Sequence, residues 1–139
     1  MKKILLLILV CLTIDINAQS LIDDTITGTW LTADQSGQIV IYRRGNKYYG
    51  SIKGGTGKEQ YDINNPEPIR RKNSLIGLII LKEFKFDGEN QWKGGMVYDP
   101  NNGKTYNCIL SLTDKKTLKL RGYIGFSWLG RTEIWTRIN

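Results

Sequence analysis

The chain of 139 residues contains no histidine. That excludes the Ser-His-Asp triad, the Cys-His dyad and every His-based zinc or non-haem iron site. Cysteine is scarce, with only Cys11 and Cys108. If Cys11 is lost with the N-terminal segment discussed next, no intrachain disulfide and no Cys-rich metal site can form. Proline is also scarce, at 3 residues, and no apolar run approaches the ~18 residues of a membrane-spanning helix. Acidic residues are fewer than basic ones, 13 against 20, for a net charge of +7. What remains is an ordinary globular composition, 40% hydrophobic and 24% charged, enriched in glycine at 15 residues. The length is that of one domain.

The N-terminus has the layout of a secretory signal peptide. Lys2 and Lys3 are followed by the apolar run 4–12 and then by polar residues ending in Asn17-Ala18. Cleavage is expected after Ala18, although Ile16 is larger than the residue usual at that position. A lipoprotein alternative would begin at Cys11, but Val10 is branched where a small residue is expected, and the cut would halve the apolar run. Cleavage after Ala18 removes Lys2, Lys3 and Asp15 and leaves a charge of +6. The mature protein is then expected to be soluble and extracytoplasmic, periplasmic or secreted. Residues 19–27 read as a short lead and 28–139 as the domain.

In the domain, apolar residues alternate with period two rather than 3.6, and turn signals cut the pattern at short intervals. The expected strands are 28–32, 37–43, 47–53, 75–86, 91–98, 104–112, 117–124 and 131–138. Gly45-Asn46, Asp87-Gly88, Asn101-Asn102-Gly103 and Asp114-Lys115-Lys116 supply tight turns. A looser segment, 54–74, has room for one short helical turn, and Gly77 suggests a bend or bulge in the long strand. The fold class is therefore all-β: about eight antiparallel strands in an up-and-down barrel, with a two-sheet sandwich as the alternative. Closure would remove the sheet edges that a secreted protein without disulfides must protect, and a monomer is expected.

Several segments carry a resemblance. They are Gly28-Thr29-Trp30, Asp62 to Pro66, Leu75 to Leu78, Tyr98 to Tyr106, Arg121 to Gly125, Leu129 to Thr132 and Trp135 to Arg137. In this order and spacing the chain resembles the bacterial secreted family called domain of unknown function 2147, over roughly residues 28–137. The resemblance implies a lipocalin-like (calycin-type) barrel and no assigned catalytic residues. The Gly-x-Trp opening also resembles that of lipocalins proper. There the Trp lies across the closed end of the barrel beneath a basic residue of the last strand. Trp30 with Arg131 or Arg137 would be that plug, through a cation–π contact worth about 0.5–2 kcal/mol.

The candidate binding residues are Arg70, Arg71, Lys72, Asp99, Lys104, Arg121 and Tyr123. The first three form the strongest basic cluster, beside the one long loop, where a barrel mouth would be guarded. Asp99 and Lys104 flank a hairpin whose Asp-Pro and Asn-Gly pairs are turn formers in their own right. Arg121 faces solvent if Leu118 and Leu120 point inward; otherwise Arg121 and Tyr123 give the interior a cationic wall. Cys108 shares a strand face with Tyr106, Leu110 and Leu112, as a buried inert thiol does. No calcium-loop spacing occurs, and no metal or other cofactor is expected. The aromatic residues sit mostly at alternating strand positions without a recognition-module signature, which argues against nucleic acid. No paired acid and base suggests an enzyme. Two readings follow. The barrel either holds a small apolar or amphipathic, possibly anionic, ligand in the bacterial envelope, or is filled and meets an envelope protein partner from outside. An interior lined by small residues favours the first; one filled by Trp, Phe, Tyr and Leu favours the second.

Overall fold

The computed structural model describes residues 21–55 and 57–139; the expected cleavage site and Cys11 lie outside them. The strands are β1 (Gly28–Leu31), β2 (Gly37–Arg44), β3 (Lys47–Gly55), β4 (Ile79–Phe86), β5 (Gln91–Asp99), β6 (Lys104–Asp114), β7 (Thr117–Tyr123) and β8 (Arg131–Arg137). Each pairs antiparallel with the next. β8 returns to β1 through Trp30↔Arg137 and Leu31↔Thr136, closing the barrel. Closure rules out the sandwich. Alternation of the chain sends the β2–β3, β4–β5 and β6–β7 turns to one end. The connections 32–36, 57–78, 100–103 and 124–130 lie at the other, the mouth.

The period-two pattern puts Ile39, Ile41, Tyr48, Leu81, Trp92, Cys108, Leu110, Leu118, Leu120 and Trp135 inside. Trp30, Tyr48, Leu81, Phe84, Trp92, Leu110 and Leu118 are 0% exposed, so no water-sized gap adjoins them. Each such side chain contributes about 1.5–3 kcal/mol by leaving water. Aromatic rings do much of the filling: Trp92 meets Tyr48 edge-on at 6.1 Å and Phe86 at 5.0 Å.

Two departures from simple alternation make this packing possible. Glu83 takes φ 65° and Gly94 φ 77°, and each inserts one extra residue, so that the inward pairs Leu81 and Phe84, and Trp92 and Gly95, stand three apart in sequence instead of two. Phe84 is thereby pressed against Gly95, where a Cβ would sit 2.5 Å from the ring. Gly50 similarly makes way for Leu81. These inward glycines therefore seat large neighbours and do not open a cavity. The expected bulge at Gly77 is replaced by a turn. Gly77 has φ 86°, Leu78 N–H donates to Leu75 O at 3.0 Å, and the strand begins only at Ile79. The helical turn anticipated in the loose segment is the 3-10 turn Pro68–Arg70.

The closed end has a floor made by residues 21–27, which are an integral part of the barrel. Asp23 caps the 3-10 turn Asp24–Ile26, and Ile26 is fully buried. Tyr48 Oη accepts from Asp23 N at 3.0 Å and donates to Asp24 Oδ1 at 3.1 Å. Arg43 Nε bonds Asp24 Oδ1 at 2.7 Å, and this hydrogen bond holds the Asp24 carboxyl below the usual carboxylate range. Trp30 lies beneath, its indole N–H donating to Ile26 O at 2.9 Å, with the Arg137 guanidinium 4.3 Å from its ring centre. Arg137 alone fills this place. Arg131 is the residue the structure removes from the plug, because β8 runs from mouth to floor and Arg131 is its mouth end.

Candidate functional site at the barrel mouth

The long connection, described over residues 57–78, turns outward and lies on the outer wall of β4 and β5. Its anchor is Asp62, 1% exposed, which accepts from Tyr98 Oη at 2.6 Å and from Asn65 Nδ2 at 2.7 Å. Burial, with the Asp62 hydrogen bond adding to it, pushes the Tyr98 hydroxyl up to about 12. Asn64 Nδ2 donates to the carbonyls of Pro100 and Asn101, both at 3.0 Å, tying the loop to the β5–β6 hairpin. Gly103 at φ 71° is required there, since a Cβ would fall on the Asn64 carbonyl. A hollow of about 280 Å³ remains between loop and wall, bordered by Glu67, Arg70, Ile80, Met96 and Tyr98.

The β7–β8 connection 124–130 is the most apolar exposed segment. Ile124, Phe126, Trp128 and Leu129 are 63–71% exposed. Phe126 and Trp128 stack at 5.5 Å with 18° between their planes. Arg121 holds the loop, its Nε donating to Ser127 O and its Nη1 to Thr132 Oγ1, each at 2.9 Å. Beneath Trp128 the outer wall has a second hollow of about 260 Å³, bordered by Gln91, Ile109, Lys119, Arg121 and Thr132.

The sequence-predicted binding residues do not converge. Arg70 pairs with Glu67 at 2.8 Å on the outer wall of β4 and β5. Arg71 Nε donates to Asn65 O at 2.8 Å and so braces the loop, while Lys72 is exposed. These three therefore do not guard the mouth as expected, because the loop is drawn outward by Asp62 and Asn64. Asp99 and Lys104 serve the hairpin: Asp99 Oδ1 accepts from Asn101 N at 2.9 Å, and Lys104 N donates to Asn102 Oδ1 at 2.9 Å. Leu118 and Leu120 point inward, so Arg121 and Tyr123 lie on the outer wall and the interior has no cationic lining from them. Arg131 is exposed, 3.8 Å from Glu133. Cys108 is 1% exposed, and burial raises its thiol to about 12. Among the described residues no three His, Cys, Asp or Glu side chains gather as metal ligands do.

Sequence reasoning missed two features. The Tyr98–Asp62 bond joins distant segments with no local signal. The rim loop did have one: four large apolar side chains in six residues, where a turn should be polar.

Residues 28–137 match the model of a family described as an uncharacterized protein conserved in bacteria (DUF2147). The chain belongs to that family. Family membership brings the fold but no assigned chemistry. No curated protein matches the chain. Among solved structures it is similar to protein HP1028 from the human pathogen Helicobacter pylori, described as belonging to the lipocalin family. The TM-score is 0.76 with 24% identity, over 81% of this chain and 82% of that one. At that identity the likeness establishes the lipocalin fold and nothing finer.

Proposed function

We propose that this family member is an exported, non-catalytic binding module of the bacterial envelope that recognises its partner with its mouth rim and outer wall. What carries the reading is the filled interior. Three tryptophans, a tyrosine and a phenylalanine occupy the space in which a barrel of this size would enclose a ligand. Strand closure and floor then act as a rigid frame, and the side chains left for recognition are those of the rim loops. Export rests on the basic–apolar–Ala layout at the N-terminus. The absence of histidine and of a paired acid and base supports a non-catalytic role.

A small anionic amphiphile is the second reading, favoured by one observation. The hollow under Trp128 combines an apolar plate with Lys119 and Arg121. Native mass spectrometry on protein taken from its own envelope tests both. The rim reading expects the bare chain, beginning at Gln19. A small molecule bound with one-to-one stoichiometry and retained after Phe126 and Trp128 are replaced by Ser would overturn it.

A further inference from the structure

We infer that the β7–β8 loop is a docking tip that seats in the interfacial layer of an anionic lipid bilayer. This deepens the rim reading by naming the surface the rim takes. The tip presents Ile124, Phe126, Trp128 and Leu129, each more than three-fifths exposed, and between Ile124 and Gly130 it has no charged residue. The stacked Phe126 and Trp128 rings form one plate, and Arg121, bonded to Ser127 O and to the Thr132 hydroxyl of β8, ties the loop backbone behind it to the wall. The loop is therefore ordered before it binds, and little entropy is lost on docking.

Charge selects the occupant. Lys119 and Arg121 border the hollow under Trp128, and Arg131 begins the strand that leaves the tip. Among the described residues neither Lys119 nor Arg121 takes part in an ion pair, and Arg131 reaches Glu133 only at 3.8 Å. An aromatic and aliphatic tip with cations behind it matches a bilayer surface in depth order: Trp at the headgroup level, cations against lipid phosphates. A protein partner fits less well. The stretch of β8 edge that β1 leaves uncovered, residues 131–135, is short and carries Arg131 and Glu133, which disfavours β-addition. Ser127 is the one polar side chain of the tip, too little to specify a partner by directed hydrogen bonds. A second copy of the cleaved chain would bring its own net charge of +6 against these cations.

The test uses protein from the envelope fraction, its mass confirming that the apolar run 4–12 is gone. Flotation is measured with vesicles of phosphatidylcholine, alone or with a quarter of phosphatidylglycerol. Binding is expected to the anionic vesicles and to fall as salt rises. F126S/W128S should weaken it at least tenfold, and Lys119→Gln or Arg131→Gln about fivefold each. Trp128 is the one exposed Trp of four, since Trp30, Trp92 and Trp135 are at most 3% exposed. Quenching of Trp emission by brominated lipid should therefore disappear in Trp128→Phe, a change that leaves the core untouched. Absent binding, binding indifferent to F126S/W128S, or quenching that persists in Trp128→Phe would overturn the inference. So would a dimer in sedimentation velocity that F126S/W128S abolishes. The wider rim reading fails on a different result, a ligand retained independently of the tip, so the two failures are told apart.

Discussion

Removing the Arg137 side chain should loosen the floor of the barrel and cost about 3–6 kcal/mol of folding stability. Its guanidinium donates to Thr27 O at 2.6 Å, to Lys115 O at 2.7 Å and to Thr25 O. The bond to Thr27 is partly buried, and leaving that carbonyl unpaired costs about 1–3 kcal/mol. The other two carbonyls are exposed and regain water, so each loses only about 0.5 kcal/mol. Stacking over Trp30 at 4.3 Å adds about 1–2 kcal/mol in a half-desolvated site. Arg137→Ala should therefore lower the thermal midpoint by about 12–24 °C, with the urea m-value unchanged if the barrel still unfolds as one unit. Arg137→Lys retains charge but not the planar fork, and should recover less than half of the loss. Urea denaturation followed by far-ultraviolet circular dichroism gives both numbers. A loss below about 1 kcal/mol for Arg137→Ala would refute the plug as an energetic element.

Tyr98 should ionise only near pH 12 in a tyrosinate absorbance titration. Its folded pKa lies above the unfolded value of about 10, so its contribution is complete below pH 10 and lost as pH rises toward 12. Asp62→Asn should lower that pKa, and a titration unchanged by the substitution would contradict the assigned hydrogen bond. Cys108, its thiol raised to about 12 by burial, should react with a thiol reagent only at the rate of global unfolding. Fast labelling under native conditions would mean the interior opens. Gly95→Ala forces a Cβ against the Phe84 ring and should cost about 1–3 kcal/mol by urea denaturation; a neutral result would mean that the β4–β5 bulges are not held by packing.

The strands were legible because alternation and hairpin turns are local. Residues such as Ile39 and Ile41 declare a buried face within a few positions, and pairing each strand with its successor required no long-range information. The bulges were not legible. Glu83 has no sequence mark of a left-handed conformation; it adopts one because Phe84 must reach Gly95 on the next strand. The choice between Arg131 and Arg137 was likewise open. Both lie on one face of β8, and only the direction of that strand in the closed barrel puts Arg137 over Trp30. The basic cluster Arg70-Arg71-Lys72 is misleading on its own, because the buried Asp62–Tyr98 bond that draws its loop away from the mouth spans 36 residues.

The account turns on an interior that leaves no room for a ligand. Methyl-resolved NMR of the folded protein, titrated with fatty acids of increasing chain length, tests this directly. The methyl groups of Leu81, Leu110, Leu118 and Leu120 report the interior, and those of Ile124 and Leu129 the rim. The account predicts that the interior methyls stay in place at every chain length while the rim methyls shift. Saturable shifts at Leu110 and Leu118, growing with chain length, would contradict it.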